Sequence, residues 1–374
     1  MKKAYIIGHN VVSPLGFSTE ETVDRILEGQ TGLKRDTASA EPSCTARIDD
    51  ARLREAFAAI ADPADFTRLE MMCLLSMSTA LRSIPEPLTD IQLIVCSTKG
   101  NIDWLGAGAD RPDDSVRLGV FARRLAGFFG FTQEPLVVSN ACISGLQGLI
   151  IGARRIRAGR SRRVVVVGGD LVSAFALAGF RSFGALSDEF CRPFDADRKG
   201  INLGEAAATV VLADEPPTNE TPRFVCESGF VTNDATHISA PSRQGEGLYQ
   251  AIRRVQQSEP EPTIDFICAH GTATVYNDEM EAQAFYRSGL DQTPLLSLKG
   301  YFGHTLGASG LLETIVSLEA LRRNRLIPSR GFGQEGTTRP VAVVREPEQR
   351  PMRSFLKTSS GFGGCNAALL VRQL

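Results

Sequence analysis

The stretch LVVSNACISGLQGLIIGARRIRAGRSRRVVVVGGD, Leu136 to Asp170, decides how the 374-residue chain is read. A short apolar strand ends in a tight turn at Cys142. A segment rich in small residues then carries helical spacing, and after a basic turn four consecutive valines, Val164 to Val167, read as a strand buried on both faces. Strand, turn, helix, strand is the grammar of a layered α/β protein. A cysteine at that hinge sits where the free N–H groups of a helix N-terminus favour a thiolate and can receive an oxyanion. Taken alone, the same residue also reads as a buried structural thiol.

Working outward, the alternation continues. Ala4 to Ile7 and Val11 to Val12 read as a first strand and its exit, Phe66 to Ser83 as a helix, Ile91 to Cys96 as a strand, Gly100 to Asp114 as a loop and Val116 to Phe129 as a helix. Asp214 to Pro222 is polar and proline-containing and marks an internal boundary, so the chain is divided into 1–217 and 218–374. In the second part, strands are expected at Arg223 to Cys226, Ile264 to Ala269, Pro294 to Leu298, Ser354 to Leu356 and Ala367 to Val371. A helix is expected from Leu311 to Arg323. Ser144–Arg160 also lies without a gap on Ser309–Arg325, matching Ser-Gly-Leu at the start and arginines at the end. Either two amphipathic helices coincide, or each part repeats one unit with this helix at its centre.

Composition narrows the class. A hydrophobic content of 43% allows a large core, and a net charge of -2 with mixed signs gives no reason to expect nucleic acid. The eight cysteines are scattered without metal-ligand spacing, as in a reducing compartment. No apolar run has the length of a membrane span. The expectation is a soluble, cytoplasmic protein.

Of four histidines, His270 and His304 both follow apolar strands in glycine-rich turns, the place where α/β sheets hold ligands. Lys299 and Glu313 flank His304 at distances in the chain that let them orient it. The closing GFGG, Gly361 to Gly364, lacks the third glycine of a dinucleotide loop and no helix follows it, so it reads as a turn presenting Phe362.

Five motifs stand in order: Asn140-Ala141-Cys142 with Ser144-Gly145; Arg192-Pro193-Phe194-Asp195 with Arg198, Gly200 and Gly204-Glu205; His270-Gly271-Thr272 and Thr274 with Asp278 and Glu281; Lys299 with Gly303-His304 and Gly307-Ala308; and Gly361-Phe362-Gly363-Gly364 with Asn366. Together they resemble the β-ketoacyl-[acyl carrier protein] synthases of the elongating Cys-His-His type, along nearly the whole chain. The resemblance implies a thiolase-like α/β fold of two similar halves in five α-β-α-β-α layers. It implies an acyltransferase that condenses an acyl group on Cys142 with malonyl-acyl carrier protein, in fatty acid synthesis or a dedicated polyketide or aryl-polyene-like pathway. The alternatives are a non-catalytic, chain-length-setting partner subunit or a malonyl-thioester decarboxylase.

By the same resemblance, His270 and His304 stabilise the enolate, Lys299 orders them and Glu313 holds Lys299. The backbone N–H groups of Cys142 and Phe362 form an oxyanion hole. Thr272 and Thr274 hold the pantetheine arm, Phe362 gates the pocket, and Arg192 and Arg68 meet the carrier protein. No metal or redox cofactor is implied. A homodimer is expected, with a heterodimer as the alternative. Four departures stand out: a short loop between Leu186 and Cys191, shortening around Gly100 to Asp114, the large Leu298 and Phe302 near Lys299 and His304, and Ala273 where glycine or serine is more usual. These residues are expected to narrow or redirect the acyl channel.

Overall fold

The computed structural model describes residues 2–36, 42–84, 88–105, 113–217, 222–258 and 263–374. The first half builds a five-stranded sheet from β1 (Tyr5–Val12), β2 (Ile91–Cys96), β3 (Leu136–Val138), β4 (Arg163–Asp170) and β5 (Ala206–Ala213). Its order is β3-β2-β4-β5-β1. The pairs β3-β2 and β2-β4 are parallel, and β4-β5 and β5-β1 are antiparallel. The second half repeats this with β6 (Phe224–Asn233), β7 (Phe266–Cys268), β8 (Leu295–Leu296), β9 (Ser354–Gly361) and β10 (Cys365–Gln373) in the order β8-β7-β9-β10-β6. The senses match strand for strand. A two-residue antiparallel contact, Tyr5 with Val225 and Ile6 with Phe224, joins the sheets edge to edge.

Strand alternation sorts the side chains into three cores. On β4, Val164 and Val166 enter a middle core while Val165 and Val167 enter an outer one. On β10, Ala367, Leu369 and Val371 share that middle core, and Ala368 and Leu370 face the opposite outer one. The middle layer holds the two helices singled out by the internal match, α2 (Ser144–Arg157) and α5 (Ser309–Arg322), each of 14 residues. One outer layer contains α1 (Arg68–Ala80), the other α3 (Glu246–Ser258) and α4 (Val275–Arg287). These are the five layers expected from the sequence.

Covered by a sheet on each side, α5 is buried at every position from Ser309 to Leu321. That explains apolar residues all round it rather than along one stripe. The two middle helices touch through glycines. A Cβ on Gly145 would stand 2.5 Å from Gly307 O, and one on Gly310 would stand 2.5 Å from Leu146 N. These are backbone atoms, which cannot move aside cheaply.

Several boundaries differ from expectation. The strand expected at Ser354–Leu356 runs on to Gly361, so the closing loop is a hairpin turn of Phe362, Gly363 and Gly364. Its glycines take φ values of +85° and +75°. The helix expected from Val116 starts at Leu118, after a short 3-10 turn at Asp113–Val116. Within the loop expected at Gly100 to Asp114, residues 106–112 lie outside the described residues. So do residues 218–221, at which the expected division of the chain falls. Among the described residues, no helix is long and apolar enough to cross a membrane.

Gly310→Ala is expected to destabilise the chain by about 2 kcal/mol, the overpacking range. Gly127→Ala, in helix Leu118–Phe129 with nothing within 4 Å of the added methyl, serves as the control and gains up to about 1 kcal/mol from helix propensity. Urea denaturation midpoints read both. Equal midpoints for the two variants would contradict the close helix contact.

Candidate active site

β3 ends at Val138, and the chain turns sharply before α2. Ala141 takes φ +44°, a left-handed conformation that alanine adopts only under constraint. Ser144, the first residue of α2, holds the turn. Its hydroxyl donates to Ala141 O at 2.6 Å and accepts from the Asn140 amide at 2.8 Å. Cys142 is thereby held at the N-terminal end of a 14-residue helix whose N-cap has no side-chain hydrogen bond. The Gly361 loop comes up against it, and a Cβ there would stand 3.1 Å from the Cys142 amide nitrogen.

His270 follows β7 in a turn fastened from behind. Glu281 accepts from the His270 amide at 2.8 Å and the Gly271 amide at 2.6 Å, and Asp278 accepts from the Thr272 amide at 2.9 Å. Ala273, one of the departures noted above, sits in this turn at φ +63°. His304 is fastened to the other half of the molecule. Its amide donates to Asn202 O at 2.7 Å, and its carbonyl accepts from the Gly204 amide at 3.0 Å. Gly204 has no room for a side chain, because a Cβ would fall onto Phe302 O.

The Cys142 sulfur and the ring nitrogens of His270 and His304 reach within 4.8 Å of one another. The two imidazoles meet edge to face with centroids 5.1 Å apart. Among the described residues, the Nδ1 atom of His270 and both ring nitrogens of His304 are buried without a hydrogen-bond partner. Such atoms cost about 1–3 kcal/mol each, and this expense recurs at sites built for a ligand. Behind them, buried Lys299 ion-pairs with Glu313 and donates to Ser309 Oγ at 3.1 Å.

Burial first, and then the Lys299 charge, holds both histidines well below the ordinary imidazole value, so they are neutral at physiological pH. Burial also pushes the Cys142 thiol up to about 12. This corrects the expectation of a resting thiolate. A helix end contributes at most about 2 kcal/mol, less than the roughly 4 kcal/mol by which burial disfavours the anion.

A cavity of about 330 Å³ opens onto the three groups and is lined also by Thr272, Thr274 and Phe362. The threonine hydroxyls bond each other at 2.8 Å. Two wall residues escaped the sequence reading. Phe180, on helix Ala174–Ser182, and Phe183 lie 5.4 and 5.1 Å from the Phe362 ring. Their only sequence signal is a run of phenylalanines on a largely exposed segment. Leu298 and Phe302, expected to narrow the channel, are buried in the middle core and do not line this cavity.

The arginine motif is largely architectural. Asp195 accepts from the amides of Gly333, Gln334 and Asp197, and Arg198 donates to Asp195 O and Gly336 O. Arg192 is partly exposed. Arg68 is engaged in ion pairs with buried Glu205 and with Asp50, and it donates to Ile48 O at 2.5 Å.

The family model for the beta-ketoacyl synthase N-terminal domain matches residues 116–216, and that for the beta-ketoacyl synthase C-terminal domain matches 224–333. The chain is 28% identical to 3-oxoacyl-[acyl-carrier-protein] synthase 2 of Rhizobium meliloti, over all of this chain and 99% of that protein. The alignment runs over 424 positions, which 374 residues span only with gaps, in keeping with shortened loops. Among solved structures it resembles a beta-ketoacyl synthase from Burkholderia phymatum, with TM-score 0.87, 24% identity and full coverage of both chains. It also resembles a ketosynthase solved in complex with its chain length factor from Xenorhabdus doucetiae, with TM-score 0.88, 24% identity and coverage of 100% and 98%. The order and span of these matches, on a duplicated fold with a Cys-His-His cluster at its centre, establish that the chain belongs to the β-ketoacyl synthase family.

Proposed function

We propose that the protein is a 3-oxoacyl-[acyl-carrier-protein] synthase that lengthens an acyl chain by two carbons in a decarboxylative condensation. The observation that carries this reading is the meeting of one thiol and two neutral imidazoles in a single cavity. Cys142 sulfur attacks the thioester carbonyl of an acyl-loaded carrier protein. The tetrahedral oxyanion is held by the Cys142 and Phe362 amides. The carbon–sulfur bond to pantetheine breaks, and the thiol proton, relayed through the imidazoles, ends on the departing sulfur. A malonyl thioester then lies against Thr272 and Thr274 and loses carbon dioxide. The electron pair of the broken bond becomes an enolate, whose oxygen receives N–H bonds from His270 and His304. The enolate carbon attacks the acyl-cysteine carbonyl, the Cys142 thiolate leaves and regains a proton, and a β-ketoacyl thioester departs.

Lys299 and Glu313 serve as positioning residues. Phe362, clasped by Phe180 and Phe183, gates the cavity. Arg192 and Arg68 are the candidates for carrier docking. We take 1–217 and 218–374 as the two halves. All eight cysteines are free thiols, which suits the cytoplasm. The edge strand β3 exposes Leu136 at 37% and Val137 at 39%, an apolar, unpaired edge that a second subunit would cover. A homodimer is our reading, and a heterodimer with a related subunit is the alternative.

Incubation with acyl-loaded and then malonyl-loaded carrier protein is expected to give, by intact mass, an acyl adduct on the wild type followed by an extended β-keto product. Cys142→Ala is expected to give no adduct. A wild type that acquires no adduct would refute the reading, and an adduct without extension would favour decarboxylation alone. Because the resting thiol is protonated, carbamidomethylation of the Cys142 peptide is expected to accelerate about tenfold per pH unit from pH 7 to pH 10. A plateau below pH 8.5 would show a resting thiolate instead. Val137→Asp is expected to yield monomers by light scattering, and an unchanged dimer would rule out the β3 edge as the interface.

A further inference from the structure

Lysine is rarely buried completely unless its charge is paired, yet Lys357, in the middle of β9, is 0% exposed. Its ammonium donates to three main-chain carbonyls: Cys268 O at 3.2 Å, Ala269 O at 3.3 Å and Thr358 O at 2.6 Å. It also lies 2.6 Å from the Glu313 oxygen that Lys299 does not occupy. Cys268 and Ala269 are the residues just before His270. The peptide run carrying that imidazole is therefore tied on its carbonyl side by Lys357 and on its amide side by Glu281.

Lys357 and Lys299 place two ammonium groups around one carboxylate, leaving a net positive charge behind the histidine pair. The other titratable or charged groups packed around the pair are Cys142 in the cavity, Cys268 on β7 and Glu281 beneath the His270 turn. Asp278, beneath Thr272, faces Arg198, and Asp170 accepts from the Gly307 amide. The three carboxylates among these are engaged by backbone amides. None of them offsets the second lysine as directly as Glu313 does.

We propose that Lys357 is a positioning residue for the condensation: it fixes the end of β7 that aims His270, and its charge, added to that of Lys299, keeps both imidazoles uncharged, as N–H donors. The assignment rests on the role given to the two histidines above. After burial, Lys299 and, for His270, the neighbouring His304, Lys357 contributes in the same sense to the state of both rings. A positive charge disfavours a second one nearby, and proximity in a low-dielectric interior enlarges the effect.

Two substitutions separate the two parts of the role. Lys357→Met removes charge and donors at similar length, and Lys357→Gln removes the charge but keeps N–H groups for the carbonyls. With only four histidines in the chain, 15N-imidazole spectra over a pH series resolve each ring. Both variants are expected to raise the titration of His270 and His304 by at least about one pH unit, and to move the acid limb of kcat the same way. Lys357→Met is expected to lose about tenfold in kcat with KM for malonyl-carrier protein within about twofold, and Lys357→Gln less. Wild-type titration of both rings in either folded variant would overturn the proposal, even if thermal stability fell. Should the methionine variant not fold, the glutamine variant decides. Failure of the wild type to condense would refute the proposed function, and the titrations would still decide the charge role.

Discussion

The rest of the molecule depends on the contact of α2 with α5. Two helices from corresponding places in the two halves cross where Gly145 and Gly310 let backbone meet backbone. At that distance their N-terminal ends converge. Cys142 stands two residues before one helix, and His304 five residues before the other. Side chains any larger than hydrogen would push the helices apart and separate the thiol from the imidazole. Close packing of the middle layer and assembly of the site are the same event.

That convergence also sets the electrostatics. A helix N-terminus carries about half a positive charge, and that of α2 meets Cys142 at a cavity backed by Lys299 and Lys357, with Glu313 between them. The field is wasted on a neutral thiol and two neutral rings. It is suited to what the reaction produces, which is anionic throughout: the tetrahedral oxyanion, the enolate and the malonyl carboxylate before it is lost. A site organised in advance for charge that appears only during reaction need not reorganise when it appears. The unpartnered nitrogens of His304 are the part of this readiness that costs stability.

Much of this was legible in the sequence, for reasons that can be named. The four valines of β4 declared a doubly covered strand because period-two alternation places Val164 and Val165 in different cores, both apolar. Ser144-Gly145-Leu146 and Ser309-Gly310-Leu311 declared the duplication because both helices meet the same packing demand. The nucleophile turn and the two histidine turns were visible as motifs. What stayed hidden was decided by non-local burial. The protonation of Cys142 depends on what covers it, and nothing near position 142 states that. Leu298 and Phe302, adjacent in sequence to Lys299 and His304, point into the core instead of the cavity. Lys357 gave one faint sign, a charge in an otherwise apolar and small-residue strand. Its meaning needed Glu313 and the carbonyls of β7.

The complete burial of α5 between two sheets reaches back to how the chain is made. Until α5 has left the ribosome, α2 has no companion for its glycine face, and it alone covers the inner surface of the first sheet. At ordinary rates of synthesis that interval is on the order of ten seconds. Throughout it, the newborn first half exposes an apolar, close-packing surface on a strand-rich scaffold. A duplicated architecture that shares one central layer therefore makes its earlier-made copy wait for the later one. That waiting surface, open to wrong partners while it lasts, is the cost of placing the reaction centre at the seam.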